Sequence, residues 1–125
     1  MTDQAIEQEI QAKGLTAPRV TPADIEANIA SEHYFTAQDG KLGAAKRCDT
    51  VAIYPELQLL TFCVLVLKNG FTITGESACA SPENFDADLG RKIARENAKQ
   101  KLWPLLGYAL KEQLYQSKQP TQSPE

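Results

Sequence analysis

A chain of 125 residues, 42% hydrophobic and 23% charged, has the size and composition of one ordinary globular domain. That balance excludes collagen-like, fully disordered and membrane-embedded classes, and the length allows roughly two-thirds of the unfolded surface to be buried without disulfides or metals. A formal net charge of −3 argues against a protein that coats nucleic acid by bulk charge.

Residues 2–13 predict a short helix, with Thr2 able to cap it, Ile6 and Ile10 one turn apart, and Gly14 offering a left-handed stop. The start Met1-Thr2-Asp3-Gln4 is polar and acidic, without the basic and apolar regions of a secretory leader, so none is expected. A linker containing Pro18 follows. The expected organisation is therefore an N-terminal helix and linker over residues 1–20, a single domain over 21–116, and a polar, disordered tail over 117–125. Within the domain, Thr21, Pro22 and Asp24 form a capping-box-like helix start. Ile25 and Ile29 supply the buried stripe of that helix, and Tyr34-Phe35 closes its end. Residues 36–49 turn small and polar around Gly40 and Gly43, which predicts a mobile loop carrying Lys41, Lys46 and Arg47.

Residues 51–54 predict a short strand ended by Pro55, and residues 57–67 a long one. The apolar run at 59–67 is far below the roughly 20 residues that cross a bilayer. Lys68-Asn69-Gly70-Phe71 predicts a hairpin with a two-residue type I′ turn. That turn would set Val66 opposite Ile73 and place Val64, Val66, Phe71 and Ile73 on the core face. Cys63, Leu65 and Leu67 would then share a half-apolar second face with Thr72 and Thr74, which makes Leu65 and Leu67 candidates for an oligomer interface.

Ser81-Pro82-Glu83-Asn84 opens the last helical region. Phe85, Leu89 and Ile93 form an apolar row, and beside it Gly90, Ala94 and Ala98 form a row of small residues that lets a helix lie close to a neighbour. Pro104 should kink or split this helix just after Trp103. Leu106, Leu110 and Leu114 continue an apolar stripe beyond it. The expected fold class is α+β: N-terminal helices, a β-hairpin or three-stranded antiparallel sheet, and a long Pro-kinked C-terminal helix packed on it.

Few residues suggest chemistry. Gly75-Glu76-Ser77-Ala78-Cys79 begins like a nucleophile elbow, but the final glycine is cysteine, and the single histidine, His33, precedes it. A Cys79–His33 thiolate pair and a metal cluster of Glu83, Asp86 and Asp88 are weaker readings than a helix-end histidine and dipole-stabilising acids. Without a C-x-x-C pair and with one histidine, no metal or other cofactor is expected. Cys63 reads as a small core residue. A cationic row is more suggestive: Arg91, Arg95 and Lys99 stand four apart on one helical face, suited to a phosphate-bearing ligand or an acidic partner. The competing reading is a solvated outer face. Asn97 beside the apolar row reads as a helix-to-loop tether or a ligand contact.

Thr61-x-Cys63-x-Leu65-x-Leu67-x-Asn69-Gly70-Phe71, then Gly75-Glu76-Ser77, Asn84-Phe85-Asp86, Gly90-Arg91, Ile93-Ala94, Trp103-Pro104 and Gly107-Tyr108, carry a resemblance. The chain resembles a family of small tailed-phage and prophage proteins named after gene products of the coliphage N-four and a Shigella phage, over residues 21–114. The family carries no established activity, so the resemblance implies no catalytic residue. It implies a non-structural accessory protein in the cytoplasm of an infected or lysogenic bacterial host. Asn69-Gly70, Gly90, Gly107, Phe85 and Trp103 read as fold residues. Glu76, Ser77 and Asn84, polar and at the strand-to-helix crossover, are the remaining candidates for binding. The expected function is a non-enzymatic, homo-oligomeric protein that binds a host or phage protein. The alternative is an anti-defence sponge that sequesters a phosphate-bearing nucleotide signal at the cationic row. Direct nucleic-acid binding is disfavoured by acidity and few aromatics.

Overall fold

The structure is a computed structural model that describes residues 2–46 and 50–119; the readings for Arg47 and for the tail beyond residue 119 lie outside them. The element order is α1 (Asp3–Ala12), α2 (Pro22–Ala27), β1 (Ile29–Thr36), α3 (Ala37–Ala44), α4 (Pro55–Gln58), β2 (Leu60–Leu67) and β3 (Thr72–Ala78), then a 3₁₀ turn at Pro82–Asn84 and the long α5 (Ala87–Ser117). The strands form one antiparallel sheet in the order β1-β2-β3. The class is α+β, as expected. The chain packs as two compact units: Asn28–Lys101, and the flanking residues up to Ala27 and from Leu102, so α5 contributes to both.

In the flanking unit, local sequence sets the helix ends. Thr2 caps α1 by accepting the Ala5 N–H at 3.1 Å, and Gly14 takes a φ of 67° just past its end. Thr21 and Asp24 complete a reciprocal capping box at 2.9 and 3.1 Å. The Arg19 guanidinium grips the Glu7 carboxylate with two nitrogens, at 2.6 and 2.5 Å, tying the linker to α1. That pair holds the Glu7 carboxyl below its ordinary pKa and raises that of Arg19. Ile25 is fully buried.

Two expectations fail within residues 29–46. The second helix stops at Ala27, and Ile29 to Phe35 are not its stripe and end but strand β1, paired with β2 from Ile29↔Leu67 to Thr36↔Thr61. The segment read as a loop contains α3, opened by a capping box in which Asp39 N–H donates to Thr36 Oγ1 and Thr36 N–H to Asp39 Oδ2. Residues 51–54 form no strand. The buried Gln38 amide holds them instead, donating to the Ala52 carbonyl at 3.1 Å and accepting from the Tyr54 N–H at 2.8 Å.

The hairpin lies where Asn69-Gly70 puts it, but the turn has three residues. Gly70 N–H donates to the Leu67 carbonyl at 2.9 Å and Leu67 N–H to the Phe71 carbonyl at 2.8 Å; only Gly70 takes a positive φ, 90°. This is a type I turn closed by a left-handed glycine, the second common hairpin solution. It shifts the register by one residue, so Leu65 faces Ile73 and Val66 faces Thr72. A one-residue slip turns every side chain over. The core face is therefore Thr61, Cys63, Leu65, Leu67, Ile73 and Gly75, all buried, and Val64 and Val66 lie on the other side.

α5 covers that inner face. Its start is Asp86, which accepts the Leu89 N–H at 3.1 Å, rather than Ser81, which makes no side-chain cap. The small-residue row faces inward: Gly90, Ala94 and Ala98 are buried, and Leu89 and Ile93 are 53% and 43% exposed, so the expected apolar row is not the buried one. Gly75 shows the cause. A Cβ there would sit 2.2 Å from the Ala94 carbonyl oxygen and 2.3 Å from the Ala98 nitrogen, so helix backbone lies directly on strand backbone. Gly90 is close in turn, its absent Cβ 3.2 Å from Thr61 Oγ1, whereas Gly107 has open space and no packing role. The helix continues through Pro104 as one element and does not split there.

Candidate functional site

Asn28–Lys101 offers two surfaces of different character. The inner one carries a polar cluster at the β1 side of the sheet. Glu32 and Tyr34, two apart on β1, point the same way, and Tyr34 stands opposite Cys63. Tyr34 donates its hydroxyl to Glu32 Oε1 at 3.2 Å, and Arg95 reaches from α5 to Glu32 Oε2 at 2.8 Å. Burial, reinforced by the Cys63 and Glu32 charges, pushes the Tyr34 phenol up to about 12. Burial also pushes the fully buried Cys63 thiol up, against the opposing Tyr34 hydrogen bond. Both groups stay protonated at neutral pH, so the cluster supplies neither a thiolate nucleophile nor a phenolate base. It fastens helix to sheet.

Among the described residues the outer face is open over half its length. Near α3 it is occupied by Phe35 and Phe62, whose ring centroids lie 5.6 Å apart, and a Cβ at Gly40 would sit 3.7 Å from the Phe35 ring. Toward the hairpin it presents Ser31, His33, Val64, Val66, Thr72 and Thr74, partners across the three strands, with Phe71 55% exposed beside them. None of these residues carries a formal charge at pH 7 with histidine neutral. Ser31 Oγ and His33 Nε2 lie 3.0 Å apart. Among the described residues no carboxylate bonds His33, so a nucleophile–base pair would lack its orienting third member.

The structure scatters the residues singled out by sequence. Leu65 and Leu67 are 0% and 6% exposed, so they belong to the chain's own core and the interface reading at these positions is corrected by the register shift. Glu76 and Ser77 are neighbours on β3 and therefore face opposite sides, Glu76 outward beyond Phe62 and Ser77 inward opposite Thr61. Asn84 is exposed in the 3₁₀ turn. Ser77 lies within a strand and not at an elbow, Cys79 donates its thiol to the Ser81 carbonyl at 3.1 Å, and His33 sits on β1, so the Cys79–His33 pair does not form. Asp86 caps α5 and Asp88 pairs with Arg91. Among the described residues no three His, Cys, Asp or Glu side chains are grouped to hold a metal.

Each cation of the α5 row has a carboxylate: Arg91 has Asp88, Arg95 has Glu32, and Lys99 has Glu96 at 3.5 Å. Asn97 is a tether, donating to the Glu76 carbonyl at 2.8 Å, and Lys101 donates to the Thr74 carbonyl at 2.6 Å. Sequence reasoning missed the outer face because it assigned β1 to a helix. The β-prone run Tyr34-Phe35-Thr36 was the available signal.

Among the described residues no helix is long and apolar enough to cross a membrane. No curated protein and no solved structure matches the chain. Residues 20–114, which hold the whole sheet and all but the last turn of its covering helix, match the Phage protein (N4 Gp49/phage Sf6 gene 66) family, and the chain belongs to that family.

Proposed function

We propose that this phage-family protein is a non-enzymatic binding protein that contacts a protein partner through the open half of the outer sheet face. One observation carries this reading: a sheet surface of Val64, Val66, Thr72 and Thr74, uncharged and flanked by the exposed Phe71, in a chain of net charge −3. Aliphatic and hydroxyl groups without charge suit a protein surface, since nucleic-acid binding draws on cations that this face lacks. The reading of a phosphate-bearing ligand at the α5 row draws less support, because Arg91, Arg95 and Lys99 each already neutralise a carboxylate. The conditions of action are those of the family, an infected or lysogenic bacterial cell.

Photo-crosslinking in infected cells tests it, with the reactive residue placed at Thr72 or Thr74, and at Lys92 on α5 as control. The expected result is a discrete adduct from the sheet positions, absent from the control and lost when Val66→Glu is added. Equal adducts from Lys92, or adducts indifferent to Val66→Glu, would overturn the assignment.

A further inference from the structure

The sheet has two edges, and the protein treats them differently. Because Leu67 N–H donates to the carbonyl of Phe71, the residue that leads into β3, the odd-numbered residues of β2 bond toward β3 and the even-numbered ones toward β1. On β3 the same alternation turns the carbonyls of Thr74 and Glu76 away from the sheet, and both are occupied, by Lys101 Nζ and Asn97 Nδ2. On β1, Ser31 and His33 lie opposite Val66 and Val64 and bond inward, which turns the main-chain groups of Glu32 and Tyr34 outward. Among the described residues no hydrogen bond reaches those outward groups. Among the described residues, then, α5 engages the outward carbonyls of β3, while the outward groups of β1 stand open.

We propose that the open edge of β1 pairs with β1 of a second copy of this chain, joining two three-stranded sheets into one six-stranded antiparallel sheet. An open row of donors and acceptors is a template for another strand. A second copy is the occupant that the charges favour. Antiparallel pairing about a two-fold axis brings a strand against itself, so the edge must not repel its own image. On the outer face β1 presents Ser31, His33 and Phe35, without formal charge. On the inner face its one acid, Glu32, is already held by Arg95. A two-fold through His33 sets Glu32 opposite the partner's Tyr34 and keeps the two carboxylates out of register. The irregularity between Ile29 and Ser31 marks one end of the usable edge, and the start of α3 marks the other. The inference goes beyond the proposed function and stands without it. The two outer faces would become one continuous surface.

Native mass spectrometry and residue-resolved amide exchange of the intact chain test this directly. The expected result is a dimer in which the Glu32 and Tyr34 amides are protected and lose that protection on dilution. Two variants separate main chain from side chain. Glu32→Ala keeps the outward N–H and should remain dimeric, whereas Glu32→Pro removes that N–H without touching the bonds from β1 to β2 and should be monomeric. A wild-type monomer at the highest soluble concentration would overturn the proposal, as would a dimer whose Glu32 and Tyr34 amides exchange freely, or a dimeric Glu32→Pro. Should Glu32→Pro fail to fold, amide exchange on the wild type decides alone.

Discussion

On the inner face of the sheet, α5 comes so near that one methyl group at Gly75 would strike helix backbone at two points. On the outer face, Val64 and Val66 are only half-buried and Phe71 is mostly exposed. The same three strands thus carry a face where every atom is counted and one where side chains have room. Tight packing makes the first intolerant of change, because interiors relax only partly around a misfit. The second can vary without unfolding the chain, which frees it for contact.

Gly75→Ala is the harshest way to break this contrast. The clash is with backbone, which cannot rotate aside, so the loss of stability should exceed about 3 kcal/mol, the upper end for overpacking, and the variant should be largely unfolded by circular dichroism. A folded Gly75→Ala with an unchanged melt would show that α5 does not lie where it is described. Leu65→Ala and Val66→Ala, adjacent on β2, sharpen the contrast. The inner truncation should cost about 2–5 kcal/mol in urea denaturation, and the outer one less than about 1 kcal/mol. Equal losses would contradict the register.

The smallest effect is alkaline. The Cys63 thiol is pushed up in the folded chain, so above the ordinary cysteine pKa of about 8.5 the unfolded state releases its proton first and the folded state binds more protons. Stability is therefore present below that pH and declines as pH rises through it, and the Tyr34 phenol at about 12 extends the decline. Melting temperatures measured from pH 7 to 10 should fall, and Cys63→Ala should flatten part of that fall. An identical slope in the variant would place the responsible groups elsewhere.

Much of the chain could be read locally. The caps at Thr2 and Thr21, the glycine stop at Gly14 and the hairpin at Asn69-Gly70 depend on contacts within a few residues, so their letters suffice. β1 and α3 were less legible. The strand's inner positions, Glu32 and Tyr34, are polar, which hides its alternation, and two glycines in α3 mask a helix that Thr36-x-x-Asp39 announces. The binding candidates fared differently, because side-chain spacing on α5 could not reveal that Arg95 would meet a carboxylate on β1, 63 residues away.

By itself the sequence determined the class of the fold, the place of the hairpin, the starts of α1 and α2 and the row of small residues on α5, all properties of short-range geometry. Only the tertiary structure decided which face of the sheet is the core. Two- and three-residue turns are both open to Asn-Gly, and they differ by a single step of register. What selects between them is distant: Leu65 and Ile73 find burial, and Gly75 finds the backbone of α5, only in the three-residue form.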